Sequence, residues 1–226
     1  MKNKKFNKIF LSFGPLVFLI IGILAASKRP FHGDEVGSFH FYTMNISEIY
    51  SSVLRSDFHP PLSYMINKYF VNVTSPFESS IYPLVILSLS LYFFITVSYE
   101  YLNKICSPSI YSFIIALHPS LIVYGFTTRY YSYHISLALV AITLFIKFIS
   151  VKSNKYLYML IIVLILCAFT SYISLILSLA LAIVLLFERV DLWRKLLALG
   201  ILYSFLVSPI IFNLFNIIFT NDIGLT

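Results

Sequence analysis

The residues best suited to acid–base chemistry lie in one stretch near the start of the chain, residues 30–70. Asp34 and Glu35 stand side by side, and His59 follows ahead of two prolines. A carboxylate can take the proton from an attacking hydroxyl or amine, and it can support a centre that develops positive charge. Asp34 is therefore the candidate catalytic base, and Glu35 is its partner, either orienting it or holding an acceptor or a metal ion. On residue type alone, either carboxylate could be the base.

A phosphate group could be held by Arg129, which lies between two apolar runs. Its sequence neighbours carry hydroxyl groups: Thr127, Thr128, Tyr130 and Tyr131. The planar donors of a guanidinium bind phosphate oxygens in pairs, and the group stays charged. Lys68 could add positive charge. The alternative for both cations is contact with lipid headgroups at the membrane surface.

A divalent cation is a further ligand that this stretch could hold. Imidazole and carboxylate groups are ordinary metal ligands, and the stretch contains His32, His40 and His59 as well as the acidic pair. Their spacing matches no recognised ligand signature. We therefore predict no metal site, and the sequence assigns no cofactor.

The composition is that of an integral membrane protein. Of the 226 residues, 59% are hydrophobic and only 11% are charged, and the mean hydropathy is +0.89, whereas a soluble domain carries about 25% charged residues. The net charge of +7 comes from basic residues at the ends of apolar runs, where they set topology, and this argues against nucleic-acid binding. No repeat divides the chain, so residues 1–226 are predicted to form one domain.

We predict an all-α, polytopic membrane helix bundle of about seven transmembrane helices. The first span is Ile9–Ala26. Residues 156–187 carry no charge and exceed the roughly 20 residues of one span. A turn at residues 170–172 would divide them in two and keep Arg189 and its basic neighbours cytoplasmic. The other spans are predicted at residues 81–98, 107–126, 131–150 and 196–219.

The first loop, at about residues 27–75, is predicted to be extracytoplasmic. Lysines precede the first span and favour a cytoplasmic N-terminus; the membrane is expected to be the plasma membrane. Residues 47–56 and 61–70 have the pattern of short interfacial helices. After them, Ser75 and Glu78 form a capping-box pattern, in which Glu78 reaches back to the Ser75 amide.

Three motifs carry a resemblance to a known enzyme class. They are the Asp34–Glu35 pair just beyond the first span, the run His-Pro-Pro-Leu-Ser-Tyr at residues 59–64, and PSLIVYGFTTRYYSY at residues 119–133. In order and spacing they resemble the polyprenol-phosphate-dependent glycosyltransferases of the GT-C type. The likeness is greatest to the branch of protein O-mannosyltransferases and the lipid A aminoarabinose transferase.

The resemblance implies a seven-span module that binds a polyprenyl- or dolichyl-phosphate sugar in the lipid bilayer. It implies inverting transfer to an extracytoplasmic acceptor without a covalent enzyme intermediate. On the matched motifs, Asp34 is the base and Arg129 binds the donor phosphate. The matching His-Pro-Pro element lies beside the active site in such enzymes, which makes His59 a contact for phosphate or acceptor; without the likeness, His59 is an ordinary loop histidine.

The sequence leaves two other classes of function open. One is a non-catalytic subunit that carries only the common module and binds lipid or a partner transferase. The other is a small transporter or channel, which should have charged residues within its spans. The predicted span interiors are almost free of Asp, Glu, Lys and Arg, so this class ranks last.

Overall fold

The computed structural model describes residues 3–56, 59–102 and 107–220, and every regular element in these three ranges is a helix. Numbered in chain order, the helices are α1 (Asn3–Ala26), α2 (Gly33–Gly37), α3 (Phe39–Tyr42), α4 (Ile46–Ser56), α5 (Leu62–Phe70), α6 (Pro76–Leu102), α7 (Pro108–Ala116), α8 (Pro119–Tyr124), α9 (Tyr130–Val151), α10 (Asn154–Ala168), α11 (Ile173–Glu188) and α12 (Trp193–Thr220). A 3-10 turn at Val190–Leu192 joins the last two.

Four of the described helices are long and apolar enough to cross a membrane: Ile9–Ala26, Pro76–Tyr101, Tyr130–Val151 and Trp193–Ile218. Two more, Asn154–Ala168 and Ile173–Glu188, are apolar but shorter. The prediction of an all-α fold is thereby confirmed for the described residues, and the apolar helices support the prediction of a membrane protein. Helices α1, α6, α9 and α12 each contain one of the predicted spans and extend beyond it at one or both ends.

The segment predicted as one span at residues 107–126 consists of two helices, α7 and α8. The break falls at Leu117 and His118, immediately before Pro119. Proline lacks the N–H that would continue the helical ladder, and it pushes the preceding residue out of the helical region; His118 accordingly has a ψ of 131°. The His118 ring caps α8 by accepting the Ser120 N–H at 3.3 Å.

The turn predicted at residues 170–172 is present between α10 and α11. It packs against the first loop, because the Leu62 N–H donates to the Phe169 carbonyl at 2.9 Å. The C-terminal half of α12 reaches the same place, where Asn213 Nδ2 donates to the Tyr172 hydroxyl at 2.6 Å.

Contacts at the two ends of the bundle give the relative directions of the helices. The rings of Tyr82 and Tyr133 are 6.1 Å apart near the N-terminal ends of α6 and α9, and Lys147 Nζ lies 3.2 Å from Glu100 Oε2 near their C-terminal ends. These two helices are therefore parallel. We call the end with the N-termini of α6 and α9 the loop end, because the first loop packs there, and the opposite end the far end.

Close helix packing in the first half of the bundle depends on Gly14 of α1. Its N–H donates to Ser112 Oγ of α7 at 3.0 Å, and Ser112 Oγ donates to the Leu11 carbonyl at 2.7 Å. A Cβ on Gly14 would lie 2.3 Å from the Ser112 carbonyl oxygen. Small residues of this kind let membrane helices approach backbone to backbone.

The first loop folds into helices α2 to α5 around its own small core of buried side chains: Phe41, Tyr42, Ile49, Val53 and Tyr64. Helices α4 and α5 confirm the two predicted short helices, although Pro61 is the N-cap of α5 rather than its first residue. The α5 face turned into the protein carries Ser63 and Asn67 beside Tyr64. The apolar Tyr69 is 69% exposed on the outside.

The capping box predicted before α6 is half formed. Ser75 Oγ accepts the Glu78 N–H at 3.3 Å. The Glu78 carboxylate instead accepts from Asn72 Nδ2 at 2.8 Å. Glu78 thus stabilises the loop before the helix.

Candidate functional site

The Glu35 carboxylate accepts five hydrogen bonds at the loop end. It sits in the first turn of α2, where His32 is the N-cap and Glu35 closes a capping box by accepting the His32 N–H at 2.8 Å. This local motif turns the Glu35 side chain inward, and its exposure to solvent is 0%. A buried carboxylate needs charged and polar partners to offset its loss of hydration.

Arg29 and Thr128 supply those partners. The Arg29 guanidinium donates to both carboxylate oxygens of Glu35, at 2.7 and 2.8 Å. Thr128 adds its backbone N–H at 2.7 Å and its hydroxyl at 2.9 Å, both to Oε1. The carboxylate therefore joins the end of α1 to the turn that precedes α9.

Arg29 extends the same connection to two further elements. Its guanidinium donates to Ser80 Oγ of α6 at 2.9 Å and to the Phe126 carbonyl at 3.2 Å, and it lies 5.3 Å from the centroid of the Phe126 ring. The Arg29 guanidinium is thus hydrogen-bonded to groups on α2, on α6 and in the turn after α8. We call Arg29, Glu35, Ser80 and Thr128 the buried latch.

The pKa of Glu35 is set by two opposed effects. Burial alone raises the pKa of this carboxyl group, because desolvation penalises the charged form. The hydrogen bonds from Arg29, His32 and Thr128 outweigh that effect and hold the pKa at about 2, below its usual 4.5. Glu35 is therefore ionised at neutral pH and does not act as a proton acceptor there.

Asp34 has the opposite environment, although it is the adjacent residue. Its side chain is 59% exposed, and its carboxylate lies 3.9 Å from the Nδ1 atom of the exposed His32. Of the two neighbouring carboxylates, Asp34 is the one that solvent and a substrate can reach. The structure brings Glu35 to the latch and Asp34 to the surface.

Arg129 lies directly beside Asp34. Its Nη1 donates to the Asp34 carbonyl at 3.2 Å, to Ser38 Oγ at 2.5 Å and to the Tyr64 hydroxyl at 3.2 Å. Its buried Nε finds no hydrogen-bond partner in the described part of the chain. The guanidinium is held in place by one nitrogen and retains further donor capacity.

His59 and Lys68, the other two predicted phosphate contacts, are placed differently. The His59 ring packs against Tyr130, the residue after Arg129, with 3.9 Å between ring centroids and a tilt of 30° between the ring planes. Lys68 Nζ donates to the backbone carbonyls of Met44 at 2.6 Å and Tyr42 at 3.2 Å. His59 therefore borders the Arg129 site, whereas Lys68 ties α5 to the end of α3.

Asn67 is a site residue that the sequence did not single out. It is only 1% exposed, its Nδ2 donates to the Tyr42 hydroxyl at 3.1 Å and to the Thr128 carbonyl, and its Oδ1 accepts from the Tyr133 hydroxyl. An amide among apolar residues of a short helix was the available signal. Asn67 joins the loop to the turn before α9, next to the buried latch.

Within the three described ranges, no group of three or more His, Cys, Asp and Glu side chains could hold a metal ion. What the site offers chemically is an exposed carboxylate next to a fixed guanidinium, a combination suited to accepting a proton and binding an anion. No protein-family model, curated protein or solved structure matches the chain.

Proposed function

We propose that the protein is a membrane glycosyltransferase that moves a sugar from a polyprenyl-phosphate-linked donor to an extracytoplasmic acceptor. One observation carries the proposal: Arg129 Nη1 lies 3.2 Å from the Asp34 carbonyl, while the Asp34 side chain is 59% exposed. The candidate base thus lies on an accessible surface, and its backbone contacts the candidate phosphate ligand. The resemblance of the three motifs to GT-C enzymes identifies the chemistry.

In the proposed reaction, the acceptor oxygen or nitrogen forms a bond to the anomeric carbon as the bond from that carbon to the phosphate oxygen breaks. Asp34 takes the acceptor proton, and Arg129 binds the departing polyprenyl phosphate. The displacement inverts the anomeric configuration because no enzyme group is glycosylated. His59 supports the donor side through its contact with Tyr130.

Glu35 acts in this proposal as a positioning residue. Its carboxylate is fixed by the buried latch, and the next residue back, Asp34, is thereby held at the surface beside Arg129. A site that is already held by buried hydrogen bonds loses little conformational entropy when substrate binds. Lys68 contributes by holding the loop carbonyls rather than by contacting phosphate.

The proposed topology has seven spans, a cytoplasmic N-terminus and an extracytoplasmic first loop, in the plasma membrane. The relative directions of α6, α9 and α11 support this topology. Since α6 and α9 are parallel, α7 and α8 together must return the chain to the loop end. Likewise, α11 is parallel to α9, because Ser174 lies 3.0 Å from His134 at the loop end and Arg189 lies over the Phe148 ring at the far end.

Sugar transfer by the purified full chain in nanodiscs tests the function. The assay supplies a radiolabelled polyprenyl-phosphate sugar together with candidate hydroxyl and amine acceptors. Transfer by the wild-type chain, lost in Asp34→Asn and retained in the loop control Glu48→Gln, supports the proposal. Undiminished transfer by Asp34→Asn contradicts the assignment of the base.

A second candidate is a non-catalytic subunit that binds lipid or a partner transferase. Two predicted site residues favour it because they bond within the protein: Glu35 is buried in the latch, and Lys68 donates to loop carbonyls. This alternative predicts that the chain binds polyprenyl phosphate but transfers sugar only when a partner chain is added.

A further inference from the structure

Four aromatic rings lie in a row where α8 meets the first turn of α9, next to Arg129, and the planes of neighbouring rings are tilted by 30° to 36°. The ring centroids are 3.9 Å apart for His59 and Tyr130, 4.1 Å for Tyr130 and Tyr131, and 4.8 Å for Tyr131 and Tyr124. Tyr130 and Tyr131 each have a neighbouring ring on two sides. Tyr124 ends the row and is 41% exposed. We call these four residues the aromatic row.

The aromatic row includes Tyr130, the residue that follows Arg129, and each of its three tyrosines carries a phenol hydroxyl. Phenol O–H groups and guanidinium N–H groups both donate to phosphate oxygens. The ring faces, in contrast, are apolar. The aromatic row is therefore amphipathic, like the junction between a lipid phosphate and its hydrocarbon chain.

The threonines beside Arg129 are occupied elsewhere. The Thr128 hydroxyl donates to Glu35 at 2.9 Å, and the Thr127 hydroxyl donates to the Tyr124 carbonyl at 3.0 Å. Of the four hydroxyl-bearing sequence neighbours of Arg129, the two tyrosines are the ones whose rings belong to the aromatic row.

Apolar surface is also exposed on the helices that lead to the aromatic row. Val123, next to Tyr124 on α8, is 57% exposed, and Ile110 and Ile114, one turn apart on α7, are 55% and 65% exposed. A chain that leaves a phosphate at Arg129 can pass from the Tyr124 ring onto Val123, the adjacent exposed residue. Dispersion contacts with ring faces suit flat, unsaturated isoprene units.

We infer that the aromatic row holds the first isoprene units of a polyprenyl phosphate while Arg129, the residue before Tyr130, binds its phosphate. The inference rests on the proposed function, which supplies the lipid class. It assigns to Tyr124 and Tyr131 a role in recognising the lipid chain. The ordinary alternative for these rings is anchoring at the headgroup level of the membrane.

Binding of tritiated undecaprenyl phosphate, without a sugar, to the full chain in nanodiscs tests this inference. Tyr124→Leu/Tyr131→Leu removes two rings and keeps apolar volume, whereas Tyr124→Phe/Tyr131→Phe keeps the rings. The leucine variant should bind about tenfold more weakly, and the phenylalanine variant should bind like the wild type. The control Tyr158→Leu removes a tyrosine that is 48% exposed on α10 and should bind like the wild type. Unlabelled dioleoyl phosphatidic acid should compete poorly.

Equal binding by the leucine variant and the wild type overturns the inference, as does equal competition by phosphatidic acid, which indicates simple interfacial anchoring. Should the leucine variant fail to fold, wild-type chain is cross-linked to a diazirine-bearing prenyl phosphate. Labels on Tyr124, Tyr131 or their helix neighbours support the inference, and labels confined to other helices contradict it. Ring-dependent binding without sugar transfer would support this inference and contradict the proposed function; transfer that ignores the rings would do the reverse.

Discussion

Arg29 and Glu35 form a two-point ion pair, 2.7 and 2.8 Å long, in which the Glu35 side chain has no exposure to solvent. The pair also bonds Ser80 of α6 and Thr128 before α9. Three stretches distant in the chain therefore share one buried charge pair. Because Asp34 precedes Glu35, the geometry of the exposed carboxylate depends on this pair.

The first prediction concerns the stability that the buried latch provides. Glu35→Gln leaves the Arg29 charge without its partner and should lower the free energy of unfolding by about 3 kcal/mol. Asp191→Asn is the matched control, since Asp191 also bonds an arginine at two points, Arg189, but is 62% exposed. That control should leave stability unchanged. Thermal unfolding in detergent measures both, and equal effects would refute the special role of the buried pair.

The second prediction is a pH dependence. The pKa of Glu35 is about 2 in the folded protein against 4.5 ordinarily, so the unfolded chain binds more protons between these values. The contribution of Glu35 to stability is therefore fully present above pH 4.5 and is lost as the pH falls towards 2. The difference in unfolding temperature between wild type and Glu35→Gln should shrink over this window. A difference that stays constant from pH 6 to pH 2.5 would contradict the lowered pKa.

The third prediction concerns Asn67, whose amide bonds Tyr42, Tyr133 and the Thr128 carbonyl. Asn67→Ala leaves these buried groups without their partner, at a cost of about 1 to 3 kcal/mol for each group left unpaired. Asn154→Ala changes an exposed asparagine at the start of α10 and should cost little. Denaturant titration compares the two, and a loss no larger for Asn67→Ala would rule out its role in joining loop and bundle.

The fourth prediction concerns the approach of α1 to α7. A Cβ on Gly14 meets backbone at 2.3 Å, whereas one on Gly200 of α12 meets nothing within 4 Å. Gly14→Ala should therefore destabilise the protein by about 1 to 3 kcal/mol. Gly200→Ala should stabilise it by about 0.5 to 1 kcal/mol, since alanine favours a helix. Opposite signs in paired unfolding experiments are expected, and the same sign for both would contradict the close packing.

Much of the helical framework could be predicted because its signals are local. Apolar runs with flanking charges located α1, α6, α9 and α12, and the side preference of basic residues located the turn between α10 and α11. The helix boundary before Pro119 was not predicted, although a proline disfavours helical backbone at the residue before it. Apolar continuity across residues 107–126 outweighed the local steric signal.

The sequence could not show that Asp34 is exposed whereas Glu35 is buried. Both are acidic and adjacent, and their difference comes from Thr128, which is 93 residues away, and from the inward turn of α2 at His32. Asn67 was missed for a similar reason, because its partners on α3 and α9 are distant in sequence. Long-range polar contacts of this kind have no periodic signature.

The central claim is that Asp34 and Arg129 form the transfer site, and one comparison tests it most directly. Sugar transfer and donor binding are measured on the same nanodisc preparations of wild type, Asp34→Asn and Arg129→Ala. Asp34→Asn should keep donor binding and lose transfer by about 10²- to 10⁴-fold, as expected for a missing base, while Arg129→Ala should lose binding. Normal transfer by Asp34→Asn, or unchanged donor binding by Arg129→Ala, would contradict the account.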